Sequence, residues 1–441
     1  MLHLDAARRE RLNRSPRRAA FYCGAASALR DALRGRGSEL IVSRGGAPEI
    51  ECLAREARAA TVVWAAEYDT AAAAAHRSLQ AELEEAGLRA TIVHDAPVVA
   101  PEDAAAARSA DGGLGYRAFV PYVNVWREAI RAPVAGRVDF TDVGLATQAL
   151  PRPEDFGGEP LADPPSEAAA SAAMDAFLAG PVLHYLTARN VPADATSQLS
   201  AHLSFGTLSA RTLVACLNER ARDRFLLAEE RLSLDAYRRV LALRDFFFQL
   251  AWFFEAHPDQ ALQERMRHFP FAREHAGLDA WREGRTGYPL VDAGIRELAA
   301  TGRMHPRARA VAASFLCFDL GLDWRIGRDA WDGQLIEDEP ALATGNWQWI
   351  AGVGADLAQF PRIYNPQKQA RTLDPRGAYV RRWIPELAAL PAGRGSPLRP
   401  PPGQLALPLF SAPTYPPPVV EHEEAAREFL RRYVDFVATR R

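Results

Sequence analysis

Apolar positions in the first hundred residues follow two rhythms. Helical spacing runs from Ser15 to about Gly35, over 47–60 and over 68–86. Between these stretches lie short apolar runs: ELIVS (Glu39–Ser43), TVVWAA (Thr61–Ala66) and ATIVHD (Ala90–Asp95). Helices alternating with strands predict parallel strands joined by helical crossovers, a doubly wound, Rossmann-like α/β domain over 1–130. Such domains open on a buried strand. Here only Met1–Leu4 precedes the first helix, so the sheet is expected to be one or two strands short. Residues 131–167 are rich in Pro, Gly and Asp and read as a connector, taken as 131–170. From Ser171 the spacing is helical throughout: 171–190, 209–222, 232–256, 290–302, 305–320, 324–335, 347–358 and 376–389. That predicts an all-α domain over 171–441. Its segment DFFFQLAWFFE (Asp245–Glu255) is apolar on nearly every face, as in a central buried helix. A Pro-rich loop (391–418) holds 10 of the 32 prolines, and a last helix (421–438) follows.

Composition adds exclusions. A chain of 441 residues, 48% apolar and 24% charged, is long enough for two or three buried cores and excludes extensive disorder. No apolar run approaches the ~18–20 residues of a membrane span, and the opening lacks the apolar stretch of a secretion signal. A soluble, cytoplasmic protein, monomeric and without membrane partners, is expected. The net charge of −2 provides no global basic field, so nucleic-acid binding must be local. Lys368 is the single lysine among 53 basic residues, a bias of base composition, so no lone arginine is read as chemistry. The four cysteines form no CxxC pair, so no metal site is expected.

Three segments carry chemical signals. Seven of the nine tryptophans lie between Trp252 and Trp383. One tryptophan ordinarily fills core, but Trp324 and Trp331, seven apart, share a helix face, and Trp347 and Trp349 follow on the next helix. Indoles in file can pass an electron vacancy when a strong photo-oxidant sits at one end. In ATSQLSAHLSFGTLS (195–209), Thr196, Ser197 and Ser200 place hydroxyls at a helix start, which suits either a plain cap or a pyrophosphate. Arg362–Trp383 holds six basic residues and one acid, Asp374, interleaved with Tyr364, Tyr379 and Trp383. Cations with flat rings suit a flipped base or a single strand, although a solvated basic face has the same composition.

Taken in order, YRAFVPYVNVWR (116–127), ATSQLSAHLSFGTLSAR (195–211), DAWREGRTGYPLVDAGIREL (279–298), LDWRIGRDAWDGQLIEDEPALATGNWQW (322–349) and RIYNPQKQARTLDPRGAYVRRWIPEL (362–387) resemble the photolyase/cryptochrome family over about residues 15–430. The resemblance implies an α/β antenna domain, a connector and a helical domain that holds FAD. By it, Tyr185 and Thr196, Ser197, Gln198, Leu199 and Ser200 hold the FAD phosphates. Arg244 lies beside flavin and DNA. Arg309 pairs with Glu337 near the isoalloxazine ring, with Asp338 and Glu339 beside them and Ala343 facing flavin N5. Trp347 is the flavin-proximal indole and Trp324 the middle one of an electron-transfer triad.

The departures from the family pattern are informative. The outermost triad tryptophan aligns with Phe271, for which Trp331 is a candidate substitute. The chain opens after the family's first strand and its Arg-Asp-Leu-Arg segment, which puts a second, folate- or deazaflavin-type antenna chromophore in question. Two flavin-pocket aspartates are glutamates here, and Ala343 cannot hydrogen-bond N5. At the substrate face, Val240, Leu243, Ala310 and Pro306 replace a Glu, a Trp, a Met and an Asn. The lost hydrogen bond and the lost stack are each worth roughly 1–3 kcal/mol. Three functions follow as alternatives. One is a light-driven lyase that splits a flipped pyrimidine lesion in DNA with an electron from reduced FAD. The second is a blue-light photoreceptor using the same flavin and tryptophans toward a protein partner. The third is a flavin-binding relative without photochemistry. Repair ranks first.

Overall fold

The computed structural model describes residues 1–105, 115–131, 139–194, 196–254, 258–355, 360–388 and 415–439. Most of the Pro-rich segment 391–418 and part of the connector lie outside them. The chain divides into two compact units. The first comprises Met1–Tyr185, Ser197–Pro258 and Leu335–Leu342; the second comprises Leu186–Thr196, Asp259–Gln334 and Ala343–Arg441.

In the first unit, Leu2–His3 (β1) pairs parallel with Val42–Ser43 (β2), and Thr61–Ala65 (β3) pairs parallel with Arg89–Val93 (β4) in the register Thr61↔Arg89. The Met1–Leu4 stub is therefore a strand. The expected single sheet is two separate two-stranded pieces. A doubly wound order needs a crossover strand to join two flanking pairs, and among the described residues none joins them. The reading of 61–66 as a buried strand is corrected: Val63 is 56% exposed. With one neighbour, β3 packs on a single face, where Val62 and Trp64 meet Ile50, Leu83 and Leu79. The crossover helices begin where side chains cap them. Ser15 accepts from Arg18 N ahead of Pro16–Arg34, and Asp69 accepts from Ala71 N ahead of Thr70–Glu85. Ala6–Arg14, unread in the sequence, is a further helix.

The helix Ala228–Phe253 is the core of the first unit; of the apolar stretch read over 245–255, residues 245–250 are buried and 251–254 are half-buried, and Glu255 lies outside the described residues. Two of its buried polar side chains tie it to the chain around it, although Asp245 Oδ1 has no hydrogen-bond partner. Asp245 Oδ2 accepts from Trp126 Nε1 (2.7 Å) and Val99 N (3.0 Å), and Gln249 exchanges two bonds with the Tyr116 backbone. Burial pushes the Asp245 carboxyl up to about 6.

The second unit is helical. Pro289–Thr301 ends on left-handed Gly302, and Asp323 caps Trp324–Asp332. The helix read over 305–320 divides into Pro306–Ser314 and a π-helical turn, Phe315–Asp319, whose Asp319 bonds His422 at 2.6 Å. Pro366–Leu373 is a helix that spacing did not reveal, because it is short and built on an Asn365 cap. His422–Ala438 closes the chain, with Phe429 packed on Phe269, Phe271 and Phe318.

Candidate functional site

In the first unit the hydroxyl-bearing turn is shaped by two residues. Gln198 has a left-handed φ of 56°, and Leu199, fully buried, follows in a right-handed conformation. Successive residues of opposite hand turn their N–H groups to one side and form a concavity that takes an anion. Leu199 anchors the turn in the core, and Ser200 begins the short helix Ser200–Ser204. Ser197 is hydrogen-bonded to the buried Tyr237, whose ring meets Tyr185 edge-on at 5.0 Å and Phe177 at 4.7 Å. Tyr237 had no motif to mark it. The available signal was a phenol in helical spacing with Ser233, Leu234 and Leu241.

The charged residues of this unit form two groups. Buried Arg244 bonds the Ala96 carbonyl at 2.6 Å, the Leu203 carbonyl at 3.2 Å and Glu339 Oε1 at 2.8 Å, with its guanidinium over Phe248. Burial pushes the Glu339 carboxyl up to about 7, against the pull of Arg244. Asp338 belongs to the other group. Its backbone N–H donates to Ser204 Oγ, while its carboxylate is held by Arg8 (2.7 Å) and Arg11 (3.2 Å). Glu337 lies half-buried beside it. At the substrate face Val240 is 39% exposed and Leu243 half-buried, a surface without a hydrogen-bonding side chain at either position.

In the second unit the indoles gather. Trp347, on the helix Pro340–Ala351, lies 4.5 Å from Trp331 and 6.5 Å from Trp281, and Trp281 stacks on Trp331 at 5.8 Å and 15°. All three are buried. Trp281 was missed in the sequence, because nothing in local spacing ties it to residues 50 and 66 positions later. Trp324 is buried under two cations, with Arg325 4.6 Å and Arg328 5.3 Å from the ring centroid. Phe271, the aligned outer position, packs on Phe269 and Phe429. Arg309 donates to the Met304 carbonyl at 2.9 Å, and Thr196 and half-buried Ala343 also belong to this unit. Next to the substrate-face positions Pro306 and Ala310, buried His305 is pushed down to about 4 by burial, with Arg307 and Arg309 adding to the effect.

In the basic stretch, Arg362, Lys368, Arg371, Arg376 and Arg382 are exposed, while Asp374 is turned inward and accepts from Val380 N. Tyr379 is no stacking platform: it is fully buried and its hydroxyl donates to Glu297 at 2.5 Å. Among the described residues no group of three or more His, Cys, Asp or Glu side chains could hold a metal, and no helix is long and apolar enough to cross a membrane.

The residues present fit a flavin dinucleotide: an anion-binding turn made of backbone and hydroxyls, a buried arginine–carboxylate pair, and aromatic electron donors. Comparison with known proteins agrees. The family described as DNA photolyase matches residues 2–139, and the one described as FAD binding domain of DNA photolyase matches 237–435. The chain is 37% identical to a deoxyribodipyrimidine photo-lyase of Streptomyces griseus over 95% of this chain and 89% of that one. It superposes on a class III photolyase of Agrobacterium tumefaciens with a TM-score of 0.82 at 28% identity, covering 96% of this chain and 89% of that one. A Synechocystis cryptochrome superposes with 0.83 at 27%, covering 95% and 88%.

Proposed function

The chain belongs to the DNA photolyase family, and we propose that it is an FAD-dependent, light-driven lyase acting on a flipped pyrimidine lesion in DNA. The observation that supports DNA as partner is the 362–382 segment: five exposed cations with the lone acid, Asp374, withdrawn into the core. That leaves a local positive face on a chain of near-zero net charge, which is what phosphate contacts need.

FAD, when bound, supplies the light-excited electron donor. The remaining work falls to the protein. The Gln198–Leu199 turn, with Ser197 held by Tyr237, binds the phosphates. Arg244 and Glu339 set the charge beside the ring, and Ala343 leaves flavin N5 without a side-chain hydrogen bond. Trp347 and Trp324, with Trp331 and Trp281, serve as internal electron donors that bring the flavin to its reduced state under light; Trp331, the candidate substitute for the outer indole that aligns with Phe271, lies directly against Trp347. Arg309 and Glu337 are assigned to the flavin ring. Val240 and Leu243 in the first unit, and Pro306 and Ala310 in the second, offer a lesion no hydrogen-bonding side chain, so its recognition depends on shape more than on side-chain hydrogen bonds.

That same face supports a second reading, a cryptochrome-like photoreceptor, consistent with the Synechocystis likeness. One experiment separates them. Protein reconstituted with reduced FAD is illuminated with oligonucleotides carrying a cyclobutane dimer or a (6-4) product. Restoration of either supports repair. Restoration of neither, with photoreduction that Trp347→Phe abolishes, decides for the photoreceptor. Protein that takes up no FAD refutes both.

A further inference from the structure

The helices Trp324–Asp332 and Pro340–Ala351 meet at a glycine. A methyl group at Gly327 would lie 2.2, 2.7 and 2.8 Å from Cη2, Cζ3 and Cζ2 of Trp347, so the six-membered edge of that indole rests on bare backbone. Trp324 is three residues before Gly327 and Trp331 four after, so all three share one face of the helix. Trp347 therefore has one indole a turn to either side of its seat, a fork in which Trp331 is in ring contact at 4.5 Å and Trp324 is not.

The two arms differ electrostatically. On the Trp324 arm, Arg325 and Arg328 hold guanidinium groups 4.6 and 5.3 Å from the ring centroid. Arg325 is fixed there by Asp323 (2.8 Å), and Arg328 by Asp259 (2.6 Å) and Asp329 (2.8 Å). Asp323, 21% exposed, meets Arg325 through both carboxylate oxygens and offsets most of its charge, so the charge left at the ring is chiefly that of Arg328. Asp259 and Asp329 are 52% and 63% exposed and screened by water, whereas Arg328 is 14% exposed and lies against the indole. A ring that has lost an electron is a cation, and cations beside it oppose that loss. Phe271, at the position that aligns with the outer indole, packs on Phe269 and Phe429, and a phenyl ring is far harder to oxidise than an indole. On the other arm, Trp331 stacks on Trp281, and no guanidinium is recorded over either ring among the described residues. Trp281 Nε1–H donates to the Ala312 carbonyl at 3.0 Å, a bond that strengthens as the ring becomes positive.

We propose that Arg325 and Arg328 close the Trp324 arm, so that the vacancy created on Trp347 moves to Trp331 and comes to rest on Trp281. The proposal rests on the light-driven reading above. The oxidant is the photo-excited oxidised flavin, which takes one electron from Trp347. Trp331 refills Trp347 and Trp281 refills Trp331. The flavin gains one electron, Trp281 loses one, and the Trp281 N–H proton stays on its nitrogen, shared with Ala312.

The test uses the flavin-loaded protein with oxidised FAD, pulsed with blue light, and follows the indole radical by transient absorption and electron paramagnetic resonance. Trp331→Phe and Trp281→Phe should each cut the yield of separated charge by about tenfold or more, the factor expected when a favourable step is lost. In the Trp331→Phe background, Arg325→Gln with Arg328→Gln should restore the yield through Trp324. If that triple variant does not fold, Arg328→Gln alone in the same background should restore part of it. Full yield in Trp331→Phe, loss of yield in Trp324→Phe, or no recovery in either arginine variant overturns the proposal while leaving the light-driven reading intact. Charge separation that survives Trp347→Phe overturns both.

Discussion

Gly327→Ala tests whether the indole fork is built as described. The added methyl would stand 2.2 Å from Trp347 Cη2, so the ring edge must retreat by roughly 1.3 Å to reach an ordinary contact of about 3.5 Å. Trp347 cannot retreat freely, because Trp331 and Trp281 enclose it at 4.5 and 6.5 Å. Overpacking of this kind costs about 1–3 kcal/mol. Opposing it is the helix propensity of alanine over glycine, worth up to about 1 kcal/mol in an open helix. The variant should therefore be destabilised by up to about 2 kcal/mol in urea unfolding, with a changed near-ultraviolet tryptophan dichroism and a lower photoreduction yield. The decisive quantity is the coupling to Trp347→Phe. Phenylalanine lacks the benzo edge that meets the methyl, so the double variant should recover about 1 kcal/mol or more relative to additivity. A Gly327→Ala protein stabilised by the full propensity term, with unchanged dichroism and additive energies, would falsify the seating of Trp347 on Gly327 and, with it, the fork.

Tyr237→Phe removes the hydroxyl bonded to Ser197. The loss of about 0.5–1.5 kcal/mol should weaken FAD binding by about two- to tenfold in a fluorescence titration, and unchanged affinity would place the phosphates elsewhere. Arg244→Ala leaves Glu339 buried without its cation. Because that carboxyl titrates near 7 and would stay protonated without its cation, the destabilisation should be larger at pH 8 than at pH 5 by up to about 1.4 kcal/mol, since at pH 5 Glu339 is neutral with or without the arginine. An equal cost at both pH values would show that the pair does not govern the site. Asp245 titrates near 6 in the fold and near 4 when unfolded. Between those values the folded chain keeps a proton that the unfolded chain has released, so stability falls as pH rises. Asp245→Asn can still accept from Trp126 and lacks that slope. Relative to wild type it should gain up to about 3 kcal/mol between pH 4 and 7, and parallel stability curves would show Asp245 to be ionised throughout.

What was legible in the chain was local. The buried end of the helix Ala228–Phe253 was plain because Asp245–Glu255 is apolar on nearly every face, whereas its charged first half gave no such sign. The parallel strands were plain because helices separate them, but the division into two pairs was not, since strand spacing carries no record of which edges meet. The hydroxyl turn was legible as a string, yet its left-handed Gln198 was not, because that conformation is imposed by tertiary packing around Leu199. Tyr379 misled for the same reason: a tyrosine among arginines reads as a surface ring until Glu297 is seen to hold it in the core. Gly327 in a helix reads as a weakness, and only the ring lying on it explains its presence.

The proposed route bears on which function the chain serves. Trp281 and Trp331 are 1% and 5% exposed, so a vacancy resting there meets little water that could take the indole proton. A charged indole that keeps its proton remains a good electron acceptor and lies on a direct path back through Trp347. A photoreceptor needs its charge-separated state to outlast a conformational response of microseconds or longer. A lyase needs the internal donors only to prepare the reduced flavin and then repeats its cycle without them. A buried resting place costs the lyase little and the photoreceptor its signal, so confining the vacancy to Trp331 and Trp281 favours repair. If the indole radical in the wild-type protein were found deprotonated and long-lived, that preference would reverse.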